Sequence, residues 1–324
     1  MRSRTRAWLA IGLLYAGLAG SLTSFHAFQV NFGPRLNYRT ERHRHIVNFE
    51  GGKKPWAYRV LVPLAVEHPG EDILSAAGLP WPESREYAYL VVRFSSTWLT
   101  LLLTHMLVAR FASAPMALGG ALLVAALHGP SIEHYWFQPA SGPDHVLWLA
   151  AALLTLSGRD RWLYPLVFIG AFNRETVVFA VAIHLALRWG REPLARLMTR
   201  SVVLLVLWAL PFLMLRELIT LSPERSRTVT RYFMKNLTDP EWQWYLVAFS
   251  GAWIGITAAG WRQLPTPVKR LVGVMVPYLG LIFAFGRIRE VRLLLPATVA
   301  FVPAAMVSLE RWLAETDAES TDKV

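Results

Sequence analysis

The residues best placed to do chemistry stand in greasy surroundings. The stretch FIGAFNRETVVFAVAIHL, 168–185, is apolar except for Asn173, Arg174, Glu175 and Thr176 at its centre. A charged side chain at the middle of a membrane helix costs about 2.5–3.5 kcal/mol on insertion scales, so two of them there are seldom incidental. Neighbours on a helix point about 100° apart, so Arg174 and Glu175 are expected to meet partners elsewhere rather than each other. Two readings follow: a site that faces a substrate, or a polar plug that locks helices together.

A second charged element, FGRIREVRLLLP at 285–296, holds Arg287, Arg289, Glu290 and Arg292. A spacing of three predicts Arg289 and Arg292 on one face at the start of the last helix, where two guanidinium forks suit a phosphate or diphosphate headgroup. Snorkelling to the lipid headgroups explains the basic residues but not Glu290 among them. In the linker LHGPSIEHYWFQPASGPDHVLWL, 127–149, His134, Asp144 and His145 titrate, and either histidine is suited to shuttling protons.

The elements that must position these residues are membrane helices. The 324 residues are 54% hydrophobic, with 14 Trp, mean hydropathy +0.34 and no cysteine, too apolar for an ordinary soluble chain. Apolar runs lie near 8–30, 87–109, 114–129, 143–158, 162–187, 201–220, 243–260, 270–286 and 291–309. The first follows a basic start and could pass for a signal peptide, but its apolar stretch continues to Phe28, which favours a retained helix. Lack of cysteine excludes disulfides, thiolate metal sites and cysteine nucleophiles. Arginine outnumbers lysine 28 to 5 and the formal charge is +11.

Three arginines before the first run and none just after it place the amino terminus in the cytoplasm. The alternation of basic linkers then breaks at 162–187, because Arg188, Arg191, Arg196 and Arg200 follow it. A re-entrant pair, rising through 162–171, turning at 170–176 and descending through 177–187, removes the conflict, since irregular backbone at membrane depth is tolerated inside protein or beside a wet cavity. The expected fold is an all-α polytopic bundle of about eight full spans plus this re-entrant hairpin. It forms one membrane domain over 1–313, with outer loops 31–86 and 220–242, and a polar cytoplasmic tail, 314–324.

This topology gathers Arg59, His134, Asp144, His145, Arg174, Glu175, Arg216, Glu217, Arg287, Arg289, Glu290 and Arg292 toward the outer face. The first loop, RLNYRTERHRHIVNFEGGKKPWAYRVLVP, is basic with interleaved aromatics. It faces away from the cytoplasm, so anionic lipid or polyprenyl phosphate suits it better than nucleic acid. His43, His45 and Glu50 are a weak metal pattern, and no metal site is assigned. The segment AYRVLVPLAVEH, 57–68, is expected to be a short interfacial helix beginning near Arg59. In loop 220–242, Arg227, Arg231 and Lys235 make a headgroup-facing stripe at helical spacing, and the triplet Asn236-Leu237-Thr238 is given no weight as a glycosylation signal.

KPWAYRVLVP, FNRETVVF and GRIREVRLLLP together resemble elements that recur in the same order in a set of bacterial membrane proteins, which in turn look like the GT-C superfamily of integral-membrane glycosyltransferases. The likeness spans roughly 50–300. It implies transfer of a sugar from a polyprenyl-phosphate donor at the outer face of the bacterial plasma membrane. It also implies a first-loop carboxylate that activates the acceptor or coordinates a divalent metal, and basic residues that hold the lipid phosphate. The loop has no Asp before Asp72, so Glu50 is the first choice for that acid, with Glu41 and Asp144 behind it. Arg59, His134, Arg174, Glu175, Arg287, Arg289 and Arg292 are the expected substrate contacts. A transporter or flippase of an anionic lipid-linked or small substrate is the alternative, because discontinuous helices and midplane charges serve it equally well.

Overall fold

The computed structural model describes residues 2–31, 35–50, 56–78, 83–135, 139–219 and 229–321; within these, side chains are described except at 2–4, 29–31, 35–39, 56, 83–84, 132–135, 229–231 and 317–321. All regular elements among the described residues are helical. Six helices among the described residues are long and apolar enough to cross a membrane: Thr5–Phe28, Arg85–Val108, Ala114–Ser131, Leu194–Leu218, Thr266–Phe285 and Val291–Thr316. They lie within α1 (Arg2–Asn31), α5 (Glu83–Val108), α6 (Ala114–Tyr135), α10 (Leu194–Leu218), α14 (Thr266–Phe285) and α15 (Thr298–Thr321), the last preceded by a tight 3-10 turn, Val291–Ala297. The chain is therefore membrane-embedded.

Two further expected spans are not among these six. Helix α7, Ser141–Leu156, has 16 residues, about 24 Å at 1.5 Å per residue, against roughly 30 Å of hydrocarbon. The run near 243–260 stays helical from α12 (Pro240–Leu246) through a π-helical turn (Val247–Gly251) into α13 (Ala252–Ala259).

Helix α15 is the hub. Its span is 89% buried, against 17–50% for the other five, because small residues such as Ala300, Ala304 and Ala305, all fully buried, let neighbours approach closely. At its far end Ser308 packs so tightly on Gly260 that no Cβ fits there. The outside of the bundle is apolar as well, with Leu9, Leu13, Val202, Leu210, Leu213 and Val276 all more than half exposed, as lipid contact requires.

The segment with the polar insert folds back on itself. Helix α8, Leu163–Asn173, and helix α9, Val178–Arg188, have 11 residues each, about 16 Å. Arg174 separates them in extended backbone, φ −163°, ψ 142°. Asp160, just before α8, lies 2.8 Å from Arg188 at the end of α9 and 3.4 Å from Arg200 on α10. Both outer ends of the pair therefore meet at one place, and the NRET turn is the opposite tip. Gly170 permits the turn, since a Cβ there would stand 2.8 Å from Val177 Cγ1.

The first loop folds over that tip. Helix α2 (Arg35–Val47), a 3-10 turn (Trp56–Tyr58), α3 (Leu61–Ala65), a π-helical turn (Val66–Gly70) and α4 (Glu71–Ala76) make it compact. Ile46, Ala57 and Val60 pack on Leu215 of α10, on Ile219 just after it and on Phe172 of α8, while Val62 and Val66 pack on Ala88 and Tyr89 of α5. The segment 57–68 is thus built into the protein by two apolar faces, with helical backbone running on from Leu61 through the π-helical turn into α4. His43 ties it down: Nδ1 lies 2.8 Å from the Tyr89 hydroxyl, and Nε2 meets the Glu67 carboxylate at 2.6 Å. Burial and the adjacent Glu67 charge hold Glu71 above the usual carboxylate range.

Helix α11, Val229–Thr238, is pinned to the end of α14 by Asn236, which is fully buried. Its amide donates to the carbonyls of Phe283 at 2.6 Å and Gly286 at 2.8 Å and accepts from Ile288 N–H at 3.3 Å. Asn236→Ala strands three backbone groups and is expected to destabilise the chain by about 1–3 kcal/mol, read as a lowered melting temperature and faster proteolysis in the 286–290 turn.

Candidate functional site

Three segments distant in sequence meet at the hairpin tip. Because α8 ends at Asn173 and a new turn starts at Glu175, successive side chains of the insert leave in different directions. Asn173 donates to the carbonyl of Ala140 at 3.0 Å. Arg174 donates to Asp144 Oδ2 at 3.2 Å, and the Thr176 hydroxyl stands 3.2 Å from both oxygens of the same carboxylate. Glu175 turns to the first loop and accepts from Arg59 at 2.8 Å, while its carbonyl accepts from Trp208 Nε1 at 3.0 Å. The expectation that Arg174 and Glu175 find separate partners is met.

The third segment adds Glu290, paired with Arg292. Arg292 lies within electrostatic reach of both Arg174 and Arg59, and Tyr278 anchors the turn by donating to the Leu293 carbonyl at 2.7 Å. Arg59, Arg174 and Arg292 balance Asp144, Glu175 and Glu290, so the cluster is formally neutral. It is graded in accessibility. Asp144 is fully buried and the three arginines nearly so, whereas the side chains of Glu175 and Glu290 keep 34% and 20% exposure. A ligand would reach the two glutamates first.

Arg287 and Arg289 stand elsewhere. The expected shared face of Arg289 and Arg292 requires a helix, but Gly286–Glu290 is irregular and the chain then enters a tight 3-10 turn. Arg292 turns inward and Arg289 outward, 42% exposed and 3.5 Å from Glu241. Arg287 donates to the Tyr232 hydroxyl at 3.0 Å. The two line a separate cleft of about 500 Å³ with Tyr232, Lys235, Asp239, Glu241 and Trp242. Of the expected stripe on loop 220–242, Lys235 faces this cleft, while Arg227 and the Arg231 side chain lie outside the described residues.

Glu41 and Glu50 are exposed. Glu41 is 3.7 Å from His45, and the Glu50 carbonyl accepts from the same ring. Neither carboxylate has a described contact with the cluster; Asp144 alone of the three proposed acids sits in it. The side chain of His134 lies outside the described residues. His43 and His45 do not share a site, one being buried on Tyr89 and Glu67 and the other facing outward. Among the described residues no group of three or more His, Asp or Glu could hold a metal ion. Sequence reasoning passed over Tyr278 and the buried His128, because a lone polar residue in an apolar helix gives no periodic signal.

Comparison with protein-family models, with curated proteins and with solved structures found no match.

Proposed function

We propose that the chain is a membrane glycosyltransferase of GT-C-like architecture, moving a sugar from a polyprenyl-phosphate donor to an acceptor outside the cytoplasm. The observation that carries this reading is the convergence of the YR, NRET and REVR elements on one charged cluster, through Arg59–Glu175, Arg174–Asp144 and Glu290–Arg292. A purely structural role would not need it, since buried ion pairs add little net stability over apolar side chains of the same shape.

In this reading the donor phosphate engages Arg59 and releases Glu175 from its partner. The acceptor O–H then breaks, its proton passes to Glu175, the acceptor oxygen bonds the anomeric carbon, and the bond from that carbon to the phosphate oxygen opens. Arg174 and Arg292 stabilise the departing phosphate charge. Asp144, enclosed by Arg174 and Thr176, positions Arg174. The cleft at Lys235, Arg287 and Arg289 holds the outer part of the donor or acceptor. Glu50 is the alternative base.

The same reading makes the α8–α9 pair a re-entrant hairpin in the bacterial inner membrane, with its base and the amino terminus cytoplasmic. The chain lacks cysteine, so single cysteines at Arg159 and Arg191 report directly. Both are expected to react with an impermeant thiol reagent from the cytoplasmic side alone, and labelling from opposite sides would overturn the hairpin. For activity, the purified protein is incubated with radiolabelled polyprenyl-phosphate sugars and a membrane-extract acceptor pool. Glu175→Gln is expected to abolish transfer and Glu50→Gln to retain it; the reverse moves the base to Glu50. Movement of label across a vesicle with no new bond would replace the reading with transport.

A further inference from the structure

One face of α5 is polar where a lipid-embedded helix has no need of it. Arg93, Thr97, Thr100 and Thr104 recur every three or four residues and are 2%, 0%, 0% and 2% exposed. A threonine inside a helix ordinarily gives its hydroxyl to the carbonyl four residues back, as Thr155 and Thr257 do here at 2.8 Å. The hydroxyls of Thr97, Thr100 and Thr104 have no hydrogen-bond partner among the described residues. The Arg93 charge reaches His128 of α6, so this face looks into the seam where α5 meets α6 and α7.

The opposite walls match. His145 of α7 and His128 of α6 are fully buried and stack with ring centroids 5.9 Å apart. Thr298 fixes the proton on His145. Its hydroxyl donates to the Leu295 carbonyl at 2.6 Å, so it accepts from His145 Nε2–H at 2.9 Å and leaves Nδ1 a bare acceptor. That atom, both ring nitrogens of His128 and the Ser141 hydroxyl likewise have no hydrogen-bond partner among the described residues. Seven buried polar atoms left dry would together outweigh the stability of an ordinary domain.

We propose that this seam is a solvent path: a short file of water that satisfies these groups and runs about 16 Å along α5, from Arg93 to Thr104. It starts one residue from Asp144, and so gives the enclosed ion cluster an exchange route to water that does not pass Glu175. The inference does not depend on the reaction assigned to the cluster.

The test uses the full chain with 15N-labelled histidine in lipid nanodiscs, transferred to deuterated buffer. The His145 ring N–H is expected to exchange nearly as fast as that of exposed His45. The shape-conserving pair Thr97→Val and Thr100→Val, which breaks the file, is expected to slow His145 exchange by at least about tenfold and to lower the melting temperature. Protection of His145 in the unmodified chain as strong as that of the buried α15 backbone amides overturns the proposal, and this measurement stands even if the valine variant fails to fold. A valine variant at least as stable as the parent, with unchanged exchange, overturns it too.

Discussion

Asp144→Ala is expected to destabilise the folded chain by about 3–5 kcal/mol, the cost of leaving a buried charge without its partner. Asp144 is fully buried and Arg174 2% exposed, so water cannot replace the lost carboxylate, and Thr176 loses its acceptor as well. Asp144→Asn keeps the shape but removes the charge, and most of the penalty should remain. Restoring neutrality separates stability from function: the double variant Asp144→Leu, Arg174→Met replaces the pair by apolar groups of similar size and should recover most of the lost melting temperature. Transfer activity should not return with it, because the proposed function needs the Arg174 charge. As a scale, Arg289→Ala breaks the exposed 3.5 Å pair with Glu241 and a loose contact 5.8 Å above the Tyr245 ring, and should shift stability by less than about 1 kcal/mol. Thermal melts followed by tryptophan fluorescence on all four variants check the ordering. A double variant as inactive and as unstable as Asp144→Ala would mean that the pair fixes the backbone of the tip itself.

What could be read from the sequence was what a cost forces on it. A charged tetrapeptide inside an apolar run is expensive in lipid, so NRET announced both a break and a set of partners, and four arginines after it fixed the fold-back; Asp160 meeting Arg188 and Arg200 is the same fact seen in space. Arg289 and Arg292 misled because a spacing of three fixes a shared face only where the chain is helical, and Gly286 begins an irregular turn there. Composition records greasiness, so six spans were legible in it, but neither the early end of α7 nor the π-helical turn at Val247–Gly251 leaves a compositional mark. Glu50 is close to the YR element along the chain but not in the described contacts. In the folded loop Arg59 turns inward to Glu175 while Glu50 stays outside, and His43 takes its carboxylate from Glu67, contacts between elements that no local pattern specifies.

Arg59→Ala should behave differently from Asp144→Ala, and the difference tests the proposed function. The Glu175 side chain is 34% exposed, so water can solvate it when its partner is removed. The stability loss should stay near 1–3 kcal/mol, the range for a hydrogen bond to a charged group. The effect on transfer should be far larger, about 100–1,000-fold, because the guanidinium is assigned to charge that develops as the phosphate leaves. Arg59→Lys keeps the charge without the planar fork, and should recover stability more fully than activity. The decisive measurement is the double-mutant cycle with Glu175→Gln. If Arg59 only tethers the first loop to the hairpin tip, the two substitutions couple in melting temperature by about 0.5–3 kcal/mol, and activity follows the folded fraction. If Arg59 meets the donor, activity falls in variants that remain folded, and binding of polyprenyl phosphate alone weakens with Arg59→Ala but not with Glu175→Gln. The second pattern is expected, because Glu175 and the donor phosphate compete for the same guanidinium, so removing the carboxylate leaves Arg59 free to bind.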